Sequence, residues 1–363
     1  MYFNKKFIPF FPVFVFFNLV VKAGGFSAKY TLRFISHILM FVLLEPLRLL
    51  ELVFYYRKIS NHQLTEDPIF VLGHWRSGTS HLQTLLRLDP RTTSIGLFSS
   101  VFSGNFLITS SIIKPFAQSL CKFLKIEYPI QRIPLDLDYP GELDTGLCFL
   151  PNSYSYTWGH VFPSMFKKHL EKSVFNDDPE LTTNWLDEYD HLIKKVSFFS
   201  KGKRVVVKSP GDTGRLKFLL ERYPKAKVVY IHRDHKAVYH SNVFLWNIIR
   251  NKFCLQNLSD ELIHENILHT YPRLLKRYLE QRSLLDDNQL VEISFVELRS
   301  EPLRILEKIY SVLELGELPL DVIKPHLKTN ESYKSNVYDT PAEIAQELER
   351  EWKEVNRFIP RKI

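Results

Sequence analysis

Short apolar runs alternate with stretches of helical spacing over much of this 363-residue chain. The runs predict buried strands at residues 67–73, 203–208, 227–232 and 290–294. The stretches that follow them predict helices at about residues 79–88, 211–223, 234–250 and 302–313. Strands that alternate with helices in this way favour an α/β fold of three layers, a parallel sheet with helices on both of its faces.

The remaining stretches predict an N-terminal segment followed by one large domain. Residues 1–60 are expected to form an apolar helical segment, and residues 61–363 the α/β domain. Residues 100–200 hold few clear strands and many aromatic side chains, so we expect a helical insertion there that covers the site. Ligands of open parallel sheets bind beyond the carboxyl ends of the strands. These ends are expected at residues 73–80, 208–215 and 233–241.

Two apolar stretches in residues 1–60 are interrupted by proline and charge. Prolines break the first, residues 7–21, and Glu45 and Pro46 follow directly after the second, residues 34–44. Broken apolar segments flanked by Lys and Arg are typical of an attachment that lies in the plane of a membrane surface. An apolar cover over the domain or over a lipid-like substrate tunnel is the alternative. A single-pass anchor comes third, because a spanning helix needs about 20 apolar residues.

Charge and cysteine content narrow the partners and the compartment. The net charge of +8 suits an anionic ligand or an acidic membrane surface. No basic run is interleaved with aromatic residues, so nucleic acid is not an expected partner. The three cysteines lie far apart in apolar surroundings, and their spacing indicates no zinc site. We therefore expect a cytoplasmic protein that is peripheral at the membrane, with a Golgi-type single-pass membrane protein as the alternative.

The stretch VLGHWRSGTSHLQTLL, residues 71–86, has the glycine spacing of a phosphate-binding P-loop. It joins a predicted strand to a predicted helix, where backbone N–H groups and the helix dipole favour an anion. The expected backbone and hydroxyl donors of this loop are Ser77, Gly78, Thr79 and Ser80. The pattern predicts a P-loop-like site for a phosphate-bearing ligand.

The loop lacks what a nucleoside triphosphate requires. That ligand needs a lysine directly after the second glycine, where this chain has Thr79. It also needs a metal ion held by a carboxylate on a second strand, whereas the predicted strands end in Lys208 and in His232 followed by Arg233. Together with Arg76, these side chains would supply the cations, so no metal is required. The pattern fits a nucleotide without a γ-phosphate.

Four motifs stand in order along the chain. They are WRSGTS at 75–80, KSP at 208–210, VYIHRD at 229–234 with Ser241 beyond it, and ISFVEL followed by EP at 293–302. In this order and spacing they resemble the sulfotransferases that use 3′-phosphoadenosine-5′-phosphosulfate (PAPS). The resemblance covers about residues 68–315 and is nearest to the large, mostly bacterial branch of that family.

The resemblance implies a role for each basic residue. Arg76 would neutralise the charge that builds on the leaving 5′-phosphate, and Lys208 would contact the bridging or sulfuryl oxygens. Arg233 would bind the 3′-phosphate with two parallel hydrogen bonds, and Ser241 would add a hydroxyl. Most of the catalysis would then come from positioning and electrostatic stabilisation of an in-line transfer.

Two places in the sequence offer a group that could take the acceptor's proton. Pro210 stands where the cytosolic enzymes of the family have a base histidine, so the role must move. His81, in the first turn of the loop helix, is one candidate, because a helix N-terminus favours a neutral histidine. Glu142 and Asp144, in a segment that resembles an acidic P-x-E-x-E motif, are the other, with Glu142 acting as base or as partner of His81. The alternative roles are a histidine bonded to backbone and charges that complement a helix dipole.

The leading hypothesis is an enzyme that moves the sulfuryl group of PAPS to a hydroxyl or an amine. The apolar N-terminus and the aromatic stretch at 153–166 favour a lipid-like or sterol-like acceptor, with a carbohydrate second. A P-loop kinase that uses magnesium and a nucleoside triphosphate is the competing enzyme. A non-catalytic, membrane-bound scaffold is the alternative outside enzymes.

Overall fold

The computed structural model describes residues 8–128, 134–150, 154–329 and 340–356. The chain forms two compact units. The helical unit holds residues up to 64, 95–202 and 247–259, and the sheet unit holds residues 65–94, 203–246 and 260 onward. The described part of the predicted N-terminal segment and that of the predicted insertion therefore lie in the same unit.

The strands are β1 (Ile69–Leu72), β2 (Thr92–Thr93), β3 (Arg204–Lys208), β4 (Lys227–His232) and β5 (Leu290–Ser294). The helices of the first half are α1 (Phe11–Lys22), α2 (Thr31–Ser60), α3 (Thr79–Arg87), α4 (Leu97–Val101), α5 (Phe106–Phe123), α6 (Leu143–Leu147), α7 (Trp158–Val161), α8 (Phe166–Ser173) and α9 (Pro179–Phe199). The helices of the second half are α10 (Leu216–Arg222), α11 (His235–Lys252), α12 (Asp260–Gln281), α13 (Phe295–Ser300), α14 (Pro302–Val312), α15 (Leu320–Thr329), α16 (Ala342–Glu351) and α17 (Lys353–Asn356). Short 3-10 turns lie at Ala28–Tyr30, Pro163–Met165, Pro210–Gly214 and Arg282–Leu284.

Five parallel strands form the sheet of the sheet unit within the described residues, in the order β2-β3-β1-β4-β5. The central strand is β1, in which Ile69 pairs with Val206 on one side and with Lys227 on the other. All residues of β1 are buried, as expected for a parallel strand that is covered on both faces. The predicted α/β fold with a parallel sheet is confirmed.

The core of the sheet unit joins the sheet to helices α3 and α14. Val71 and Val229 from neighbouring strands lie in one buried cluster with Leu82 of α3 and Ile309 of α14. Helix α14 begins at Pro302, where the missing N–H costs no intrahelical hydrogen bond. This packing fixes the start of α3 relative to the end of β1, which is where the predicted loop lies.

Two parts of the sheet unit differ from the prediction. A helix was expected over 211–223, but a 3-10 turn at Pro210–Gly214 precedes the shorter α10. The buried ion pair between Asp212 and Arg215, at 2.9 Å, stabilises this turn. The edge strand β2 was not predicted, because its two residues are too few to show a pattern.

The core of the helical unit is rich in aromatic side chains. Phe16 of α1 is fully buried and its ring lies 5.7 Å from that of Phe34 and 5.4 Å from that of Phe41, both in α2. Trp158 and Phe162 complete the contact around Phe16, with ring centroids 6.0 and 6.1 Å away. Helix α1 is therefore held against α2 by aromatic packing.

Helix α2 runs for 30 residues and continues through Pro46. The second apolar stretch of the sequence and the mixed stretch that follows it therefore form one continuous helix. A proline inside a helix costs about 3 kcal/mol, because it removes one hydrogen bond and crowds the preceding turn. Buried contacts of Glu45 and Arg48, described below, hold the helix on both sides of Pro46. None of the helices in the described ranges is both long enough and apolar enough to cross a membrane.

Candidate active site

The predicted ligand-binding segments meet at one edge of the sheet unit. Because β1 lies between β3 and β4, the segments that follow these three strands come side by side. They are the loop after Leu72, the turn after Lys208 and the segment that begins at Arg233. This is the edge at which parallel α/β sheets bind their ligands.

The loop between β1 and α3 has a backbone that requires glycine at two positions. Gly73 and Gly78 have φ of 146° and 107°, in a region that other residues rarely adopt. A Cβ atom at Gly73 would lie 2.5 Å from the carbonyl oxygen of Ile231, and one at Gly78 would lie 2.3 Å from the ring of Phe295. Arg76 also has a positive φ, of 71°. The loop is thus packed closely against β4 and against the segment that follows β5.

Hydrogen bonds from two neighbouring segments hold the loop in place. The N–H of Gly73 donates to the hydroxyl of Thr213 at 2.8 Å, and Asn242 donates to the carbonyl oxygen of Trp75 at 2.9 Å. Within the loop, the hydroxyl of Ser77 donates to the carbonyl oxygen of His74 at 2.8 Å. Thr213 and Asn242 were not predicted, because their role depends on contacts between segments far apart in sequence.

The start of α3 offers N–H groups to an anion. Gly78 is the N-cap residue of this helix, and no side chain caps it. The first N–H groups of a helix have no intrahelical partner, and the helix dipole makes this end attractive to negative charge. Thr79 and Ser80 begin the first turn. The geometry is that of a helix N-terminus able to receive a phosphate group.

Three predicted cofactor-binding residues contact one another beside this helix end. The Nε of Arg76 donates to the hydroxyl of Ser241 at 2.8 Å. The Nη1 of Arg233 donates to the carbonyl oxygen of Arg76 at 3.2 Å, and its guanidinium lies 4.6 Å from the ring centroid of Phe295. The structure therefore brings Arg76 together with Arg233 and Ser241, which lie 157 and 165 residues further along the sequence.

Lys208 is the last residue of β3 and pairs in register with Val71 of β1. Its side chain is buried, as are Ser209 and the turn that follows. Burying a lysine is costly unless it is compensated, so its place at the ligand edge of the sheet is a specific feature of this site. Lys208 thus lies on the same edge as the loop and Arg233.

His81 lies in the first turn of α3, and its pKa is lowered to about 4. Burial is the main cause, and the positive charges of Arg299 and His326 add to it. A neutral histidine was expected, although for a different reason, namely the helix N-terminus. At neutral pH the ring is uncharged and one nitrogen can accept a proton, but its low pKa makes it a weak base.

The two acidic candidates lie in the helical unit, whereas the other predicted site residues lie in the sheet unit. Glu142 is the N-cap residue of α6, and Asp144 lies fully buried in the first turn of that helix. The hydroxyl of Tyr156 donates to Glu142 at 3.5 Å, and burial lowers the pKa of the nearby His160 to about 4, partly offset by the charge of Glu142. The structure thus groups Glu142 with Tyr156 and His160. Tyr156 was not predicted, although it lies in the aromatic stretch that was.

Comparisons with known proteins find similar sequences and similar folds. A family model described as the sulfotransferase family matches residues 153–318. Two curated relatives are each 27% identical to this chain over 304 residues, which cover 82% of this chain and 76% of theirs. They are the omega-hydroxy-beta-dihydromenaquinone-9 sulfotransferases Stf3 of Mycobacterium bovis and of Mycobacterium tuberculosis.

Two solved structures share the fold over most of their length. Sulfotransferase STF9 from Mycobacterium avium has a TM-score of 0.68 at 17% identity, covering 87% of this chain and 82% of its own. Sulfotransferase STF1 from Mycobacterium tuberculosis H37Rv has a TM-score of 0.67 at 18% identity, covering 97% and 93%. The chain is thus similar to sulfotransferases, in sequence and in fold, over most of its length. It is therefore an enzyme of sulfuryl transfer, which decides against the kinase and scaffold hypotheses.

Proposed function

We propose that this enzyme takes the sulfuryl group from PAPS and transfers it to a hydroxyl group of a lipid-like acceptor. The observation that carries the proposal is the cluster of Arg76, Arg233 and Ser241 beside the N-terminus of α3. PAPS carries a phosphosulfate at one end and a 3′-phosphate at the other, so it needs two anion sites close together. The cluster and the helix end provide them within one unit of the chain.

The loop fits the 5′ end of this nucleotide. The close approach of Gly73 and Gly78 to their neighbours, and the bonds from Thr213 and Asn242, fix the loop before a ligand arrives. Donors that are already fixed need little reorganisation when charge develops, and this is the main source of electrostatic catalysis. The N–H groups at the start of α3 would bind the 5′-phosphate.

Arg233 and Ser241 are proposed to bind the 3′-phosphate. A guanidinium can bind a phosphate with two parallel hydrogen bonds, and a hydroxyl can add a third. Arg76 contacts both residues, through its Nε and through its carbonyl oxygen. This residue therefore links the two proposed phosphate sites, and we propose that it turns its charge toward the leaving 5′-phosphate.

The chemical step uses Arg76 and Lys208 as fixed cations. Bound PAPS supplies the sulfuryl group: its sulfur–oxygen bond to the 5′-phosphate breaks as the acceptor oxygen bonds to sulfur. Arg76 and Lys208 stabilise the negative charge that remains on the phosphate oxygen. The acceptor's proton passes to a protein base, and His81 and Glu142 are the two groups proposed for this role.

The proton acceptor can be identified with two variants, His81→Asn and Glu142→Gln. Loss of a general base lowers kcat by about 10²- to 10⁴-fold and leaves nucleotide binding intact. If His81 is the base, activity should fall as pH drops toward about 4, where the ring becomes protonated, and His81→Asn should lose this dependence. If neither variant lowers kcat more than tenfold, both assignments are wrong.

The acceptor is proposed to be an alcohol on a long apolar molecule. The curated relatives are named for an omega-hydroxy-beta-dihydromenaquinone, which is a lipid-like compound that carries a hydroxyl group. Incubation of the enzyme with labelled PAPS and a membrane-lipid extract, followed by mass spectrometry, should give a sulfated lipid. Labelling of a carbohydrate fraction with no labelled lipid would contradict this proposal.

The nucleotide assignment is tested by thermal unfolding with 3′,5′-ADP, the product of PAPS. A ligand at about 100 times its Kd stabilises the folded state by about 2.7 kcal/mol. Arg233→Ala should remove most of this gain, while Arg304→Ala, an exposed arginine of α14, should retain it. The proposal fails if 3′,5′-ADP does not stabilise the wild-type protein.

A further inference from the structure

The middle of helix α2 has its charged residues on the inner side, and exposed apolar residues follow its outer side. Glu45, Arg48 and Glu51 are buried. The exposed large apolar residues of this helix are Leu32, Ile35, Leu39, Val42, Leu43, Leu50, Val53 and Phe54. At 100° per residue they fall on one face, opposite the buried charges, and form a stripe about 33 Å long at 1.5 Å per residue. A helix on the surface of a soluble protein has the reverse arrangement.

Hydrogen bonds on the inner side fix this orientation. Glu45 accepts from the N–H of Phe10 at 2.8 Å and forms an ion pair with Arg48 at 2.6 Å. Arg48 also donates to the carbonyl oxygen of Ile8 at 2.9 Å. Rotating α2 to bury its apolar stripe would strand these charges without their partners, which costs several kcal/mol. The stripe therefore faces outward as a stable feature of the unit.

Glu51 connects α2 to α5, a second helix that exposes apolar residues on one side. Its carboxylate accepts from the N–H groups of Leu107 and Ile108, at 2.7 and 3.3 Å, and so caps the first turn of α5. It also forms a buried ion pair with Lys195. Burial raises the pKa of Glu51, and the charge of Lys195 partly offsets that effect. The orientations of α2 and α5 are thus set by one side chain.

Helix α5 and helix α1 also expose apolar residues on one side. The exposed ones are Ile112, Phe116, Leu120 and Phe123 in α5, and Phe14, Phe17 and Val21 in α1. The most exposed, Phe123, has 82% of its surface accessible. We call the outer sides of α1, α2 and α5 the apolar face. Exposed apolar groups on this scale mark an interaction surface.

The exposed charges of helices α1, α2 and α5 themselves have one sign. Lys22, Arg57, Lys58 and Lys122 are exposed near helix ends. The acidic residues of the three helices are Glu45 and Glu51, and both are buried in ion pairs. Positive charge around an apolar surface complements the anionic headgroups of a lipid leaflet. Two copies of this chain meeting through the face would bring charges of the same sign together.

We propose that the apolar face docks onto the surface of a membrane that contains anionic lipid, with α2 lying in the plane of the membrane. This extends the prediction for residues 1–60 to α5, which lies outside that segment. The proposal rests on the helical unit alone and does not depend on the choice of nucleotide or acceptor.

The test measures binding of the full-length protein to vesicles by flotation. Vesicles of phosphatidylcholine with phosphatidylserine should bind the wild-type protein. The variant Leu43→Asp/Phe54→Asp places two charges in the stripe of α2. Each substitution also removes an apolar side chain that the membrane would bury, which should weaken binding about tenfold. Leu284→Asp is the matched control, because Leu284 is 54% exposed in the sheet unit and should not matter. Since the substituted residues are exposed, the unfolding temperature should change little in all variants.

Two further measurements complete the test. Arg57→Glu/Lys122→Glu should weaken binding to vesicles with phosphatidylserine and have little effect on vesicles of phosphatidylcholine alone. Light scattering should give the wild-type protein and the Leu43→Asp/Phe54→Asp variant the same oligomeric state. The proposal is overturned if the wild-type protein does not float with either vesicle, if the α2 variant floats like the wild type, or if that variant instead converts a dimer to a monomer.

Discussion

In the sheet unit, Arg76, Lys208 and Arg233 stand at one edge of the sheet, where three strands end. In the helical unit, Glu45 and Glu51 are each buried in an ion pair with a neighbouring base. The first arrangement gathers positive charge where an anionic ligand can approach. The second balances charge inside the protein and leaves an apolar surface outside.

This difference separates two uses of charged side chains. The positive side chains at the sheet edge are expected to interact with an anionic ligand. Removing one of them should therefore lower turnover more than it lowers stability. The buried ion pairs on the inner side of α2 fix the orientation of helices. Removing one of these charges should therefore lower stability more than it lowers turnover. Removing one charge from each unit tests the distinction directly, and the expected effects are argued below from the largest to the smallest.

The largest effect is expected for Glu51→Gln. This variant leaves Lys195 buried without its anion, and breaking a buried pair in this way costs about 3–5 kcal/mol. Denaturant unfolding measures the change. Glu307→Gln, an exposed glutamate on α14, is the control and should stay within about 0.5 kcal/mol of the wild type. The double variant Glu51→Gln/Lys195→Met should recover part of the loss, and equal stability of Glu51→Gln and the control would refute the structural role of the pair.

The next effect is expected for Arg76→Gln in the sheet unit. Removing a group that stabilises transition-state charge lowers kcat by about 10²- to 10³-fold, or about 3–4 kcal/mol. The free energy of unfolding should change much less, because Arg76 is only half-buried. Single-turnover transfer from labelled PAPS measures the step, and Arg304→Gln is the control. An Arg76→Gln variant that lost stability and kept its kcat would reverse the comparison between the units.

The sheet unit was the easier half to predict. Residues 227–232 were expected as a strand and form β4 with the same bounds, because an uninterrupted apolar run has one favourable place, between layers. A helix was expected from residue 234, where Asp234 accepts from the N–H of Ala237 at 2.9 Å, as capping side chains do. Local chemistry decides both features. The meeting of Arg76, Arg233 and Ser241 depends on the strand order, which was not predicted. The expectation was only that their segments lie at the carboxyl ends of the strands.

The helical unit could not be predicted in the same way. The ion pair of Glu51 and Lys195 joins residues 144 positions apart, and no local pattern shows it. Without that pair, Glu45 and Pro46 suggested the end of an apolar segment. With it, Glu45 belongs to the inner side of a helix that continues through the exposed Pro46. The mixed pattern of α2 was visible in the sequence, but which side faced inward depended on partners elsewhere in the chain.

The smallest effect is expected from two buried histidines, one in each unit. Burial lowers the pKa of His74 and of His169 to about 4, with nearby lysines contributing for His169. The folded state therefore favours the neutral ring, and its contribution to stability is complete above the ordinary pKa of about 6.5. That contribution is lost as pH falls from about 6.5 toward 4, at up to about 1.4 kcal/mol per pH unit for each ring.

Unfolding measured between pH 4 and 7 tests this expectation for both units. His74→Gln and His169→Gln should each make stability less dependent on pH, while His269→Gln, which replaces an exposed histidine of α12, should not. If the two units unfold together, each substitution flattens the same transition. If they unfold separately, each flattens the transition of its own unit. A pH dependence that both variants leave unchanged would mean that acid lability comes from other groups.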